Sequence, residues 1–499
     1  MGLTIKDKLG YLLFQVTIVV IYIAFLIATP LYNILDNKKI EAVYPPQYFD
    51  KILASLRSDA ERELLRSYFE HNELENNYTA KSGLSLRDKL KLNIILQKNN
   101  KHFKIRIGIY FIALFLLYFI RYFIALFYKD KEIDPNFLPS VAVIVPVKNE
   151  ENVIYETISR CYKNGYPLNL LDVIIIDDGS TDNTLKEIKR AKRKFPSLKY
   201  KSYAVNRGKR LAIASAVTMT KADFFVMLDS DTLLEEGAIQ QVIQHFKDPK
   251  VAATSGHTKV ANLNENYLTK AQGFKYYCSY RLFKAFEGVF GTVVCAPGCF
   301  SAYRASKFLE IMEEWHSKTF FGRRCVAGED RALTTLLLKK NKIRYSDKAI
   351  AYTYVPTTLK TFAIQQKRWM RSWFRESLYV SRFMWKKNPL PALSFYIMFF
   401  ISIFAPITLF RECLIMPILL MKAPYFYLTM LLFIIITQAF FCVLTKKSDF
   451  FIYGFTFSFL YFFFLVWLIP VSIFTITSGN WGSRGALILS DTTIVSQKS

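Results

Sequence analysis

The fold of the central part of the chain can be inferred from one stretch, Phe224-Phe225-Val226-Met227-Leu228-Asp229-Ser230-Asp231. Five consecutive apolar residues predict a buried strand, and two carboxylates follow at its carboxyl end. Similar apolar runs occur earlier, at Val141–Val147 and Val173–Ile176, and helical stretches separate them. Strand–helix alternation predicts an α/β domain with a mainly parallel sheet and helices on both faces. Ligands bind such sheets at the carboxyl ends of the strands, so polar residues there are candidates for a site.

The second apolar run ends in Asp177-Asp178-Gly179. The glycine permits a tight turn, and the Asp178 carboxylate can accept hydrogen bonds from the base or ribose of a nucleoside. An ordinary turn that caps the following helix is the alternative.

Asp229 and Asp231 can hold one divalent ion, because alternate residues at a strand end bring two carboxylates together. Carboxylate oxygens suit Mg²⁺ or Mn²⁺ and leave positions for phosphates. A solvated acidic turn is the alternative. Lys209, within Asn206-Arg207-Gly208-Lys209-Arg210, opens a helix whose amides and cations can bind an anion. A solvated basic turn explains these residues equally well.

Composition limits the class of protein. The 499 residues are 52% hydrophobic, with 44 Phe and 30 Tyr, and the net charge is +26. No nucleic-acid-binding motif occurs, so the excess of Lys and Arg favours lipid headgroups and nucleotide phosphates as partners. The seven cysteines lack CxxC or Cys/His spacing, which argues against a zinc site and a disulfide scaffold.

Apolar segments flank the α/β domain and predict a membrane protein. Positive residues beside them place the central domain in the cytosol. We expect Pro470 to break the last apolar stretch, 450–477, which therefore would not cross fully. The predicted segments are a transmembrane helix at 1–32, an extracytoplasmic charged and helical loop at 33–106, a second transmembrane helix at 107–128, the cytosolic domain at 130–360, interfacial helices at 361–390, two transmembrane helices at 393–444, and a half-inserted or interfacial helix with a terminal segment at 450–499.

Further motifs carry a family resemblance. Cys295-Ala296-Pro297-Gly298-Cys299-Phe300, Gly328-Glu329-Asp330-Arg331 and Gln365-Gln366-Lys367-Arg368-Trp369, taken with Asp229-Ser230-Asp231, resemble the processive family 2 glycosyltransferases. The similar groups are the hyaluronan, chitin and chitooligosaccharide synthases, and the resemblance covers roughly residues 106–485. It implies a GT-A fold fused to an α-helical transmembrane channel, a UDP-sugar donor, a divalent metal, inversion at the anomeric carbon, and export of the polysaccharide.

The resemblance also implies roles for individual residues. Asp330 would be the general base that removes a proton from the acceptor hydroxyl, with Glu329 as its rival and Arg331 as a neighbour that shapes its charge. The residues implied in substrate binding are Asp178 at the uridine, Asp229 and Arg368 at the diphosphate, Gln365, Trp369 as an acceptor platform, Cys295 near the acceptor, and Trp481 and Arg484 in a segment that folds over the nucleotide. Lys209 is expected to bind the substrate as part of the anion site inferred above from the start of its helix. Asp229 and Asp231 would hold the metal.

The nature of the polymer stays open. Glu329 and the Pro-Gly-Cys-Phe run look like chitin synthases, whereas Ser372–Ser377 looks like hyaluronan synthases. Both groups use UDP-N-acetylglucosamine, which is therefore the expected donor, with or without UDP-glucuronate. Membrane lipids and the growing polysaccharide are the other expected partners, and residues 33–106 could dock a component of the cell envelope. The alternatives are a non-processive transferase acting on a lipid carrier and a transporter that senses nucleotide.

Overall fold

The structure is a computed structural model, which describes residues 45–95 and 116–477 apart from short gaps at 57, 74, 82, 86, 90, 93–94, 118, 326, 416, 419–424 and 446–449. The predicted helix at 1–32, most of that at 107–128, and the Trp481 and Arg484 segment lie outside these residues. The chain divides into two compact units. One comprises residues 1–10, 120–403 and 434–499, and the other comprises residues 11–119 and 404–433.

In the second unit, part of the predicted loop 33–106 folds around an apolar cluster. Its elements are the helices α1 (Pro46–Ser55) and α2 (Asp59–Tyr68) and the antiparallel strands β1 (Phe69–Asn72) and β2 (Asn77–Ala80). The rings of Phe49 and Tyr78 stack at 3.9 Å and join α1 to the hairpin. The helices were expected from the sequence, and the hairpin was not.

An eight-stranded sheet forms the centre of the first unit. Its strands are β3 (Val141–Val147), β4 (Leu171–Asp178), β5 (Lys199–Tyr203), β6 (Phe224–Leu228), β7 (Thr232–Leu234), β8 (Val251–Val260), β9 (Phe300–Arg304) and, after a separate hairpin of β10 (Thr319–Phe320) and β11 (Arg323–Arg324), β12 (Lys342–Thr353). Their order across the sheet is β5-β4-β3-β6-β9-β8-β12-β7. The predicted strands Val141–Val147 and Phe224–Leu228 are confirmed.

Burial on both faces explains why these strands are continuous apolar runs. All seven residues of β3 are buried. Successive side chains point to opposite faces, so Ile144 joins one hydrophobic core while Val143 and Val145 join the other.

The sheet is mainly parallel, as predicted, but two of its strands, β9 and β7, run against the other six. β5, β4, β3 and β6 pair in parallel, but β9 runs antiparallel to both β6 and β8. β9 begins at Phe300, opposite Leu228 at the end of β6. The chain therefore enters β9 at the carboxyl end of the parallel strands, and the Cys295–Cys299 run arrives at the same edge as Asp229.

Helices cover the sheet and continue beyond it. They are α3 (Ile154–Tyr162), α4 (Thr184–Lys194), α5 (Lys209–Val217), α6 (Ala238–Ile243), α7 (Tyr267–Tyr277), α8 (Ala285–Phe290), α9 (Ala305–Ser317), α10 (Glu329–Lys340), α11 (Leu359–Ser381), α12 (Pro389–Phe410), α13 (Tyr425–Leu444), α14 (Phe451–Phe463) and α15 (Leu468–Phe474). A π-helical turn joins α7 to α8.

Two stretches among the described residues are long and apolar enough to cross a bilayer. Pro389–Ile415 has a mean hydropathy of 2.1, and Ile452–Phe474 has one of 2.2. The second stretch is interrupted between Phe463 and Leu468, ahead of the break expected at Pro470. Pro470 instead lies in the first turn of α15, where its missing N–H leaves no helical hydrogen bond unmade.

Substitution of Gly256 tests the packing of β8 against β9. A Cβ at this position would lie 2.2 Å from the ring of Phe300, which is fully buried. Gly256→Ala is expected to reduce the free energy of unfolding by about 1–3 kcal/mol, the usual cost of overpacking. Thermal unfolding of the purified protein measures this loss. Phe300→Leu makes room for the methyl group, so the double variant should lose less than the sum of the single losses. Additive losses would argue against a direct clash.

Candidate active site

Asp178 fixes the loop that leads to Lys209. Its Oδ1 accepts a hydrogen bond from the backbone N–H of Arg207 at 2.7 Å, and its Oδ2 accepts one from that of Gly208 at 2.8 Å. Burial raises the pKa of the Asp178 carboxyl above its usual range, and the two backbone hydrogen bonds oppose this rise. The carboxylate thus stands at the carboxyl end of β4, as predicted, with both oxygens engaged by backbone amides.

The turn after Asp178 requires glycine. Gly179 has a φ of +73°, and a Cβ there would lie 2.7 Å from both Asn206 N and Val205 C. The backbones of the two loops therefore approach more closely than a side chain would permit.

The ammonium of Lys209 lies between two carboxylates. It is 2.5 Å from Asp229 Oδ1 and 2.9 Å from Glu329 Oε1. Burial lowers the pKa of Lys209, but the two neighbouring negative charges outweigh that effect and raise the pKa well above its ordinary value. Burial likewise favours a higher pKa for Glu329, but Lys209 lowers that pKa to about 2. Glu329 is consequently ionised and paired throughout the neutral pH range.

Asp330 is adjacent to Glu329 but has a different environment. Its Oδ2 accepts a hydrogen bond from the N–H of Gly298 at 3.0 Å, and its Oδ1 accepts one from the N–H of Arg331 at 2.7 Å. Burial, and then the negative charge of Glu329, raise the pKa of Asp330 above its usual range. Two adjacent carboxyl groups with pKa values shifted in opposite directions indicate different roles.

Gly298 lies next to all of these groups. No role was predicted for it individually from the sequence. A Cβ at this position would lie 3.0 Å from Lys209 Nζ and 3.3 Å from Asp229 Oδ1. Lys209, Gly298, Glu329 and Asp330 line one cavity together with apolar residues from β3, β6 and α5. Gly298 does belong to the Cys-Ala-Pro-Gly run that carries part of the family resemblance, so the sequence contained a pattern that could have identified it.

Asp229 and Asp231 follow β6 as expected. The hydroxyl of Thr353 lies 3.5 Å from Asp231 Oδ1. No group of three or more His, Cys, Asp or Glu side chains in the described part of the chain could hold a metal by itself. Two carboxylates nevertheless fit Mg²⁺ or Mn²⁺, because Mg²⁺ is commonly bound by one or two carboxylates together with substrate phosphates and water.

Tyr276 connects the carboxylates to the acceptor motif, and no sequence pattern identified it. Burial raises the pKa of its hydroxyl well above the ordinary value, and the negative charges of Asp231 and Asp229 act in the same direction. Its ring centroid lies 6.4 Å from that of Trp369. Tyr276 therefore lies beside the Trp369 ring and near enough to Asp229 and Asp231 for their charges to act on its hydroxyl.

Trp369 belongs to α11, together with the other residues of its motif. The ammonium of Lys275 lies 5.0 Å from the centroid of the Trp369 ring and donates a hydrogen bond to Gln366 Oε1. Burial lowers the pKa of Lys275 to about 7. The side-chain amide of Gln366 also donates to Gln365 Oε1 at 3.3 Å. The positive charge of Arg368 contributes to lowering the pKa of Glu329, so α11 also faces the carboxylate cluster.

Cys295 and Arg331 lie on the other side of Asp330. Burial raises the pKa of the Cys295 thiol, and the positive charge of Arg331 opposes this rise. The Cys295 carbonyl accepts a hydrogen bond from Lys284 Nζ. The thiol is therefore a neutral, partly buried group beside the Asp330 pocket.

The last apolar helices pack against the helices that line this site. The side chain of Arg371 donates to Thr475 Oγ1 at 3.0 Å, next to the end of α15. A Cβ on Gly454 of α14 would lie 3.0 Å from the Phe274 ring of α7. The stretch Ile452–Phe474 thus contacts both α7 and α11.

Comparisons with known proteins indicate a glycosyltransferase. Residues 142–312 match the family model described as "Glycosyl transferase family 2". An N-acetylglucosaminyltransferase of Rhizobium leguminosarum bv. viciae is 32% identical over 50% of this chain and 59% of its own length. A hyaluronan synthase of Streptococcus pyogenes serotype M3 is 29% identical over 58% of this chain and 69% of its own length. The chain thus matches less than two thirds of the first relative and slightly more than two thirds of the second.

Among solved structures, a mannosyltransferase from Pyrobaculum calidifontis in complex with GDP-Man and Mn²⁺ aligns with 70% of this chain and 96% of its own. The TM-score is 0.49 and the sequence identity is 17%.

Lys209→Met tests the central ion pair. It leaves Glu329, whose side chain is 11% exposed, without its cation, and the free energy of unfolding should fall by about 3 kcal/mol, the scale for breaking a buried pair. Thermal unfolding without divalent cations measures the change. Lys209→Met combined with Glu329→Met removes both charges and should recover most of the loss. Equal losses in the single and double variants would contradict this pairing.

Proposed function

We propose that this chain, whose residues 142–312 match the family 2 glycosyltransferase model, is a membrane-embedded, inverting and processive polysaccharide synthase that uses UDP-N-acetylglucosamine. One observation carries this proposal. Asp330, with its raised pKa, lies at the same sheet edge as the Lys209–Asp229 pair, and Arg368 of α11 is close enough for its charge to act on the adjacent Glu329. These contacts support a site in which the donor, a proton acceptor and an acceptor platform lie together.

The donor would lie across the carboxyl ends of β4 and β6. Asp178 holds the loop whose residues flank the uridine, and Lys209 at the start of α5 contacts the diphosphate together with the helix amides. Asp229 and Asp231 would hold Mg²⁺ or Mn²⁺, which neutralises charge that develops on the diphosphate when bound. Lys209 can exchange partners on donor binding, since phosphate oxygens offer it negative charge in place of Asp229.

Asp330 acts as the general base in this proposal. It removes the proton from the acceptor hydroxyl as that oxygen attacks the anomeric carbon, while UDP leaves from the opposite face. A base works best with a pKa close to the operating pH, and the pKa of Asp330 is shifted in that direction. Glu329, with a pKa of about 2 and a salt bridge to Lys209, is a much weaker base and instead orients Lys209. Arg331 limits the rise in the pKa of Asp330 through its positive charge.

The acceptor would stack on the aromatic residues beside Asp330. The face of a pyranose ring carries C–H groups that pack on an aromatic ring, and Trp369 supplies one with Tyr276 next to it. Gln365 and Cys295 would contact the acceptor sugar, and Arg368 would face the diphosphate, in agreement with its influence on Glu329.

The proposal includes export of the product through the membrane. The contacts of α14 and α15 with α7 and α11 support an active site that sits at the membrane surface on the cytosolic side. The spans at 107–128, 393–410 and 424–444 would line the channel of this plasma-membrane protein. The segment with Trp481 and Arg484 would close over the nucleotide, and residues 33–106 would face the cell envelope.

The names of the relatives support the choice of donor. One is an N-acetylglucosaminyltransferase and the other a hyaluronan synthase, and hyaluronan also contains N-acetylglucosamine. UDP-N-acetylglucosamine is the substrate common to both possibilities, whereas UDP-glucuronate is needed only for a hyaluronan-type product.

Asp330→Asn is expected to lower the rate of UDP release by at least about 10²-fold, the lower end of what a general base contributes. Steady-state UDP release from UDP-N-acetylglucosamine measures the effect. Because the base must be ionised and its pKa is raised, kcat/KM of the wild type should fall with decreasing pH at values above about 4, the ordinary pKa of an aspartate.

Glu329→Gln is the matched control for this experiment. The amide keeps the size of the side chain and an oxygen for Lys209, so the variant should retain part of its turnover. Its acid limb should move to lower pH, because the charge of Glu329 no longer raises the pKa of Asp330. Loss of turnover in Glu329→Gln with full activity in Asp330→Asn would assign the base to Glu329.

The product identifies the reaction. Membranes that contain the protein are incubated with UDP-N-acetylglucosamine, with and without UDP-glucuronate, and the product is digested with chitinase or hyaluronidase. A long polymer sensitive to one enzyme is expected. A single sugar on a lipid would support a non-processive transferase, and no UDP release from any UDP-sugar would refute the proposed function.

A further inference from the structure

The loop before the catalytic helix is fastened to α11 at both ends. This loop, residues 318–328, contains the hairpin of β10 and β11 and ends at Gly328, which directly precedes Glu329 and Asp330. Lys318 at its start contacts Glu376 of α11, and Ala327 near its end contacts Arg375, the preceding residue of the helix. The position of Asp330 therefore depends on α11 as well as on the sheet.

Glu376 is the centre of this attachment. Its side chain is 1% exposed, and its two oxygens have different partners. Oε2 lies 2.6 Å from Lys318 Nζ, and Oε1 lies 3.1 Å from Arg375 Nε. Arg375 in turn donates from Nη2 to the carbonyl of Ala327 at 2.6 Å. One carboxylate thus orients both side chains that hold the loop.

Gly328 brings the backbone of the loop against the same helix. A Cβ there would lie 2.3 Å from the Cβ of Ser372 and 3.5 Å from Arg375 Nη2. Its φ of +77° also favours glycine. Ser372 donates a hydrogen bond from its hydroxyl to the carbonyl of Trp369 at 2.9 Å. The acceptor platform and the loop contacts therefore lie within two turns of one helix.

The charges of the cluster argue for a role in geometry rather than stability alone. Lys318 and Arg375 carry two positive charges against the one negative charge of Glu376, and all three side chains are buried. Burial lowers the pKa of Lys318, and the carboxylate of Glu376 opposes this shift. Buried ion clusters of this kind contribute little net stability compared with apolar residues of the same size. They do, however, hold their partners in a fixed arrangement.

We propose that Glu376 is a positioning residue that holds Asp330 in register with the acceptor platform at Trp369. It acts through Arg375 and Lys318 and touches neither substrate. A sugar that advances along α11 then meets the base at a constant distance after each addition. This inference rests on the proposed function, because it assigns the acceptor to Trp369 and the base to Asp330.

Glu376→Gln tests the proposal in the full-length enzyme. The amide keeps the shape but weakens both charged contacts, so the loop can shift relative to α11. Small displacements of a catalytic group reduce turnover strongly, and we expect kcat for UDP release to fall about tenfold. The KM for UDP-N-acetylglucosamine should stay within about twofold, because the donor contacts lie on β4, β6 and α5. More UDP should be released per sugar incorporated, since water can replace a misplaced acceptor hydroxyl.

Two further variants separate positioning from folding. Glu156→Gln removes an exposed carboxylate paired with Arg160 on α3 and should leave every parameter unchanged. The triple variant Lys318→Met, Arg375→Met and Glu376→Met replaces the charges with apolar groups and should keep the thermal stability of the wild type. It removes the contact with Ala327, so the same fall in kcat and rise in UDP released per sugar are expected.

The outcomes are distinguishable. A stable triple variant with wild-type kcat and wild-type coupling of UDP release to transfer overturns the positioning role, whatever the behaviour of Glu376→Gln. A parallel rise in donor KM in both variants also overturns it, because the defect would then lie in the donor site. Absence of UDP release by the wild type would instead refute the proposed function.

Discussion

The ammonium of Lys209, held between Asp229 and Glu329, is the interaction on which the site depends. It joins three parts of the chain that are distant in sequence: the start of α5, the residue after β6 and the start of α10. Without a cation at this point, two carboxylates would face each other in a partly buried pocket at considerable electrostatic cost. The same pair leaves Asp229 next to a positive charge that a phosphate oxygen can take over.

This ion pair also separates the properties of two adjacent carboxyl groups. Lys209 lowers the pKa of Glu329 to about 2, whereas burial and the Glu329 charge raise that of Asp330. The oxygens of Asp330 accept hydrogen bonds from the backbone N–H groups of Gly298 and Arg331. The positive charges of Lys209 and Arg331 lower the pKa of Asp330 less than burial and Glu329 raise it. The proposed base is thus defined by its neighbours, and its residue type alone would not distinguish it from Glu329.

The helix α11 links the carboxylate edge to the apolar part of the chain. It carries Trp369 and, in the two turns that follow, Ser372 and Glu376, which contact the loop before Asp330. The end of α15 packs against the same helix. The proposed coupling of transfer to export requires such a rigid connection, since the acceptor must move while the base stays in place. Tyr276 of α7 completes the connection from the side of the metal ligands.

The amino-acid sequence was enough to predict the strands, the strand-end carboxylates and the resemblance to the family 2 glycosyltransferases. A continuous apolar run such as Val141–Val147 is typical of a strand in a sheet that is covered on both faces. The short motifs are recognised from residue type and spacing, which can be read without knowing the rest of the fold. The tertiary structure alone decided that β9 runs antiparallel, that Glu329 rather than Asp330 pairs with Lys209, and that Tyr276 joins the site. Strand direction, ion pairing and burial depend on contacts between residues far apart in the chain, and local patterns carry no information about those distances.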